Sequence, residues 1–189
     1  MESLLHEIRK CTICEPHLKL GARPVVAAHP DAKLIIIGQA PGTKVHATGI
    51  PWNDPSGVQL RKWLGISSEE FYDETKVAII PMGFCYPGKG KSGDLPPRRE
   101  CAPAWHEKLF AQITEPKMIL LIGMYAQKYY LQDAAKKNLT ETVRSFDEYG
   151  PTYFPLPHPS PRNRFWLTKN PWFQTEVLPY LRSNVQSTF

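Results

Sequence analysis

The stretch Leu34–Gly42, with the sequence LIIIGQAPG, decides the expected fold of this chain. It opens with an uninterrupted, mostly β-branched apolar run, which is typical of a strand buried on both faces of a sheet. The glycines and the proline that follow favour a tight turn with accessible backbone amides. The pattern therefore predicts a buried strand over 34–38 that leads into a loop able to face a ligand.

Three further apolar runs predict strands, and amphipathic segments between the strands predict helices. The expected strands are 34–38, 77–80, 118–122 and 153–156, and the expected helices are 2–14, 55–64, 102–113, 125–131, 139–149 and 171–185, the last with Asn170 as its N-cap. Strands that alternate with helices favour βαβ units. We therefore predict a single α/β domain over residues 1–189, with three α/β/α layers around a central, mostly parallel four-stranded sheet.

The composition indicates a soluble globular protein with a mild positive charge. The chain has 23 Lys and Arg against 18 Asp and Glu, and this net charge of +5 suits either a polyanionic partner or an ordinary solvated surface. No apolar run approaches the roughly 18–20 residues of a membrane span, and Met1–Lys10 lacks the apolar core of a signal peptide. We therefore expect a cytoplasmic monomer with no membrane partner, whose four cysteines are thiols or metal ligands.

Three short motifs are expected in loops near the carboxyl ends of the strands, where parallel sheets bind ligands. They are Gly38–Gly42 (GQAPG), Gly49–Trp52 (GIPW) after six intervening residues, and His158–Ser160 (HPS). Each motif alone is weak, since such turns and isolated histidines are common in loops. Together, and in this order, they resemble the motifs of the iron–sulfur (family 4) branch of the uracil-DNA glycosylase superfamily. The string His158–Asn163 also resembles the single-strand-selective branch of that superfamily.

This resemblance implies a DNA glycosylase of base excision repair, which flips a base out of DNA and hydrolyses its N-glycosidic bond. It makes His158 the donor of a hydrogen bond to the uracil carbonyl and Trp52 the ring that stacks on the extruded base. The candidate site residues are Ala40, Pro41, Trp52 and Asn53 at the base, His158, Asp54 and Gln39 at the reaction, and Ser160, Arg162, Asn163 and Arg164 on single- or double-stranded DNA. The segment 162–165 is expected to press into the minor groove.

The four cysteines form a further pattern. Cys11 and Cys14 are a Cys-x-x-Cys pair, and fifteen residues separate Cys85 from Cys101. The pattern resembles the cluster-binding cysteines of the same family, and this implies a structural [4Fe–4S] cluster that ties the N-terminal helix to the loop 85–101. Tetrahedral zinc accepts the same ligands, and four unligated thiols are the third alternative.

Two positions depart from the family pattern. The family has a glutamate where this chain has Gln39, which is neutral and cannot act as a general base, and the neighbouring Ala40 cannot replace it. The family also has a base-reading asparagine where this chain has Pro81, which has no side-chain donor and no backbone N–H. Asp54 and His46 are the nearest candidates for the missing group. The alternative function is therefore a non-catalytic iron–sulfur binder or sensor of damaged DNA with the same fold.

Overall fold

The computed structural model describes residues 1–189, and a four-stranded sheet forms its centre. Strands β1 (Leu34–Ile37), β2 (Val77–Ile79), β3 (Met118–Ile122) and β4 (Tyr153–Leu156) lie in the order β2-β1-β3-β4. All three pairings are parallel, with Leu34 beside Val77 and Met118, and Ile119 beside Tyr153. The predicted α/β fold class is therefore confirmed, and the sheet is parallel throughout.

Helices cover both faces of the sheet, because successive side chains of each strand point to opposite faces. In β1, Ile35 and Ile37 belong to one buried cluster, whereas Leu34 and Ile36 belong to the other. The first face packs against α1 (Glu2–Arg9), α5 (Glu107–Phe110) and α6 (Met124–Leu131), and the second against α3 (Pro55–Leu64), α4 (Ser68–Tyr72), α7 (Leu139–Arg144) and α9 (Leu178–Thr188). The result is the expected three-layer arrangement.

The N-terminal helix is shorter than the predicted 2–14. It ends at Arg9, where the Cys11 amide donates to the Ile8 carbonyl in a closing turn. Ile13 is 57% exposed, so the apolar stripe that holds α1 against the sheet stops at Ile8. Cys11 and Cys14 therefore lie in the turns that follow the helix.

Two central helices are less regular than predicted. The predicted helix 102–113 is a π-helical turn over Ala102–His106 that continues into α5. The predicted helix 139–149 is α7 followed by a 3-10 turn over Phe146–Tyr149, because Ser145 leaves the helical backbone region. Strands β1 and β2 each end one residue early, and α6 begins one residue early.

The C-terminal helix also differs from the prediction. A π-helical turn over Phe173–Val177 precedes α9. Asn170 is not its N-cap, because the Asn170 Oδ1 accepts the indole N–H of Trp172 at 3.2 Å and no backbone N–H of the first turn. The short helices α2 (Thr43–Thr48), α4 and α8 (Arg164–Lys169) were not predicted, since each buries at most one side chain and so shows no apolar stripe. None of the helices combines the length and the apolar character needed to span a lipid bilayer.

Candidate active site

A cleft of about 430 Å³ opens at the carboxyl edge of the sheet. Its lining includes the predicted site residues Gln39, Ala40, Pro41, Trp52, Asp54 and His158, together with Pro81. Asn53 does not line the cleft, and Ser160, Arg162, Asn163 and Arg164 lie on the segment that continues after His158. The parallel topology explains the meeting of distant segments, because the loops after β1, β2 and β4 emerge at the same edge.

Trp52 forms one wall of the cleft, and two glycines leave room for its ring and for its backbone carbonyl. Its backbone has φ 55°, in the left-handed region that few non-glycine residues occupy. A Cβ atom at Gly57 would lie 1.7 Å from the Trp52 carbonyl oxygen, and one at Gly38 would lie 2.8 Å from Cζ2 of the ring. The centroid of the Trp52 ring lies 5.6 Å from that of His158, with 32° between the planes. The two rings therefore meet inside the cleft.

His158 enters the cleft two residues after the end of β4. Burial lowers the pKa of its imidazole below the ordinary value, and the negative charges of Asp54 and Asp94 oppose this shift only in part. The ring is therefore neutral at pH 7 and carries a single N–H donor. Such a donor, held in a buried position, can stabilise negative charge that develops on a bound group.

Two amide side chains fix the backbone that presents His158. Gln127, which is buried on α6, donates to the carbonyl oxygens of Leu156 at 2.9 Å and Leu121 at 3.2 Å, and so joins the ends of β3 and β4. Asn163 donates from Nδ2 to the His158 carbonyl at 2.7 Å. The Nδ2 group of this predicted DNA contact is therefore engaged within the protein.

Two carboxylates act electrostatically on His158, and the sequence pointed to only one of them. Asp54 caps α3, where its Oδ1 accepts a first-turn N–H at 2.8 Å, while its other oxygen takes no part in the cap. Asp94 comes from the loop 85–101 and lies over the Gly42 backbone, where its Oδ2 would be 3.7 Å from an added Cβ. The Tyr86 hydroxyl donates to Asp94 Oδ1 at 3.4 Å. No sequence motif marks Asp94, because its position depends on how this loop folds.

Gln39 and His46 are the remaining polar candidates, and their side chains are less well placed to act in the cleft. Gln39 lines the cleft, and its Nε2 lies 3.5 Å from the Leu95 carbonyl in a long hydrogen bond. His46 does not line the cleft; its ring lies 6.1 Å from that of Tyr86, and its buried Nδ1 has no hydrogen-bond partner. Of the two groups considered as a replacement for the family's glutamate, only Asp54 therefore reaches the cleft.

A buried histidine supports the cleft wall at Pro81. The Pro81 carbonyl can only accept, so His106 donates to it from Nε2 at 3.1 Å, and Nδ1 accepts from the Tyr130 hydroxyl. The His106 ring also stacks on Phe84 with a centroid distance of 5.6 Å. Burial lowers the pKa of His106 to about 4, so this support is neutral at pH 7. Sequence reasoning missed His106, because it lies in a segment that reads only as an amphipathic helix.

The four cysteines line a second cavity, of about 290 Å³, in which Arg98 is the one charged lining residue. Burial raises the pKa of Cys85 to about 11 and that of Cys101 to about 12. No group of three His, Cys, Asp or Glu side chains is arranged to hold a single metal ion. Four cysteine sulfurs around one cavity are the donor set that an iron–sulfur cluster uses, in which each thiolate binds a different iron. Bound metal would also offset the burial penalty on the thiolates.

The segment after His158 places a basic, apolar-tipped turn beside the cleft. A 3-10 turn over Pro161–Asn163 leads into α8, and the Ser160 hydroxyl accepts the Arg162 N–H at 3.3 Å. Arg162 and Arg164 are exposed and form no ion pair, and Phe165 is 78% exposed. These are the properties expected of a segment that contacts a polyanion.

The fold and the cleft together define an α/β protein with a cleft beyond the carboxyl ends of a parallel sheet, where such sheets commonly bind ligands. The family model described as "Uracil DNA glycosylase superfamily" matches residues 26–182. The chain is also 26% identical over 166 residues to the Type-4 uracil-DNA glycosylase of Thermotoga maritima, and the match covers 85% of this chain and 81% of that protein. The chain belongs to the uracil DNA glycosylase superfamily, which confirms the resemblance seen in its motifs.

Proposed function

We propose that this protein is a DNA glycosylase of base excision repair that hydrolyses the N-glycosidic bond of uracil or another deaminated base after flipping the base out of DNA. The observation that carries the proposal is the meeting of Trp52 with a neutral His158 in one cleft of about 430 Å³. An extruded base has lost its stacking and pairing partners, and an aromatic face and a fixed donor replace them. Superfamily membership and the Thermotoga maritima relative support the same reaction.

The chemistry requires charge stabilisation on both sides of the bond that breaks. The bond between sugar C1′ and the base nitrogen breaks, the base leaves as an anion, and water supplies the hydroxyl group at C1′. His158 donates its N–H to the base oxygen on which the negative charge accumulates. Ala40, Pro41 and Trp52 hold the plane of the base, and the Gln39 amide orients the water.

We assign activation of the water to Asp54, because it lines the cleft and one of its oxygens takes no part in the cap of α3. Asp94 lies beside the Gly42 backbone and contributes a second negative charge near the sugar. Both carboxylates favour the cationic character that the sugar gains in the transition state. They therefore stand in for the glutamate that the family has at the position of Gln39.

We assign a [4Fe–4S] cluster to the cavity lined by the four cysteines, because each thiolate can bind a different iron. Zinc accepts the same donor types and is the alternative, although no group of three such side chains is arranged around a single ion. When bound, the cluster is structural: it links the turns after α1, through Cys11 and Cys14, to the loop 85–101. Because that loop carries Asp94, the bound cluster would help to hold Asp94 in position. The cluster takes part in no step of the reaction.

A non-catalytic binder of damaged DNA is the second candidate. The specific observation in its favour is that Gln39 and Pro81 line the cleft where the family has a glutamate and an asparagine. Such a protein would keep the base pocket and lack the reaction.

Alkaline strand cleavage distinguishes the two functions. Single- and double-stranded oligonucleotides that carry uracil, hypoxanthine, xanthine or 5-hydroxymethyluracil are incubated with the protein and then cleaved at abasic sites. We expect excision of at least one of these bases, and His158→Ala should lower its rate about 10²–10³-fold, because one preorganised donor is lost. The exposed His6 on α1 gives a matched control, His6→Ala, whose rate should not change.

The carboxylate variants complete the same experiment. Asp54→Asn should lower the rate more than Asp94→Asn, and Asp133→Asn, at an exposed residue after α6, should leave it unchanged. Gln39→Glu restores the family's carboxylate and should raise uracil excision. If neither the wild type nor Gln39→Glu excises any of the four bases while damaged DNA still binds, the non-catalytic function is the right one.

A further inference from the structure

A groove of about 1240 Å³ runs beside the candidate active site. Two connections in the chain join it to the cleft. Pro81 lines the cleft, and the next residue, Met82, lines the groove. Gly123 lies next to His158, with an added Cβ 4.0 Å from the histidine Cβ, and the next residue, Met124, lines the groove. The groove therefore begins where the cleft ends.

One side of the groove is aromatic and apolar, and no protein segment covers it. Tyr125 and Tyr129, from α6, both line it. Tyr129 is 42% exposed and Met124 is 45% exposed. The Tyr129 ring packs on that of Tyr130 with a centroid distance of 5.1 Å, at 67° between the planes. The contact with Tyr130 therefore holds the Tyr129 ring in place, while much of the Tyr129 surface remains exposed.

The groove is also cationic. Its lining includes Arg98, Arg99 and Lys128 and no aspartate or glutamate. Arg98 is paired with Glu100, whereas Arg99 and Lys128 are exposed and form no ion pair. Two free cations beside an exposed aromatic ring are the elements with which proteins bind single-stranded nucleic acid.

We propose that this groove binds the unpaired DNA strand next to the extruded base, with a nucleobase stacked on Tyr129 and phosphates at Arg99 and Lys128. The occupant is single-stranded because bases within a duplex are stacked on one another and offer no free face to a tyrosine. The inference rests on the proposed function, since the cleft at the end of the groove supplies the extruded base. Binding of the unpaired strand in this groove gives the protein a preference for damaged bases in unpaired DNA.

Fluorescence anisotropy with a labelled, undamaged strand of about ten thymidines tests the groove, because this probe spans one binding site and contains no damaged base. Tyr129→Ala should weaken binding at least about fivefold. Arg99→Gln and Lys128→Gln should each reduce the slope of log K against log salt concentration by about 0.7, the value for one phosphate contact on a single strand. Lys137→Gln, at an exposed lysine beyond the end of α6, should change neither quantity.

Thermal unfolding and metal content establish that each variant is intact, which matters most for Arg99 because it is close to Cys101. The proposal is wrong if all three groove variants bind the strand like Lys137→Gln. It is also wrong if Tyr129→Ala weakens binding to a blunt duplex of matching sequence as much as binding to the single strand. Excision of a damaged base is measured on other substrates, so a negative binding result for the groove does not affect the excision result. Conversely, a protein that excises no base can still bind the undamaged single strand.

Discussion

Acid should destabilise this fold through His106, the buried histidine that holds the Pro81 carbonyl. Its pKa is about 4 in the folded protein against an ordinary value of 6.5. Between these two values the unfolded chain binds more protons at His106 than the folded one. The contribution of His106 to stability is therefore full above about pH 6.5, is lost as the pH drops to about 4, and changes no further below that. At about 1.4 kcal/mol per pH unit, the loss amounts to about 3 kcal/mol.

His106→Phe isolates this contribution, because it keeps the stacking on Phe84 and removes the titrating ring. Near pH 7 the variant should be less stable by about 1–3 kcal/mol, since the Pro81 carbonyl and the Tyr130 hydroxyl lose their partner. Urea unfolding near pH 7 and near pH 4.5 gives the difference in free energy of unfolding between wild type and variant, in which the other titrating groups cancel. Near pH 4.5 the wild type should have lost about 2–3 kcal/mol relative to the variant, which is enough to cancel or reverse the difference seen near pH 7. An identical difference at both pH values would refute the assignment of His106 as a buried neutral support.

Three further predictions concern the metal, the DNA and the cleft. Cys101→Ser should abolish a broad absorbance near ~400 nm in protein purified without oxygen and lower its solubility, and a colourless wild type with one zinc per chain would contradict the cluster. Arg162→Ala and Arg164→Ala should each flatten the salt dependence of duplex binding by up to about one unit of slope, and two wild-type slopes would mean that this segment does not contact phosphates. Gly57→Ala should abolish excision, because its Cβ would lie 1.7 Å from the Trp52 carbonyl oxygen and force that residue to move. Full activity of this variant would show that the position of Trp52 is not required.

The strands and most of the cleft were predictable from sequence because both depend on local signals. The runs over 34–37 and 118–122 are apolar enough to specify strands buried on both faces, and the parallel topology then brings Gln39 and His158 to one edge. The gathering of the four cysteines in one cavity was implied by the resemblance of their pattern to that of the family, although the helix expected to carry the first pair ends before them.

The other features of the site and the irregular helical turns depend on tertiary contacts that no pattern in a single sequence indicates. Asp94 sits in a loop of ordinary composition and approaches Gly42 only once that loop has folded. His106 and Gln127 resemble incidental polar residues of helical segments, yet both are buried and hold backbone carbonyls of the site. Irregular turns before α5 and α9 were missed for a related reason, because a π-helical turn has nearly the same apolar spacing as an α-helix.

The two hydrogen bonds that Gln127 donates to the ends of β3 and β4 also affect how often His158 is in place. β4 is an edge strand of the sheet and pairs only with β3, so its tip is among the places where the native ladder can open locally. His158 follows that tip by two residues, so local fraying of β4 would withdraw the imidazole from the cleft and would also expose Leu156, which is buried in the second hydrophobic cluster. The two hydrogen bonds of the Gln127 amide therefore favour the arrangement in which the end of β4 stays paired and His158 lines the cleft.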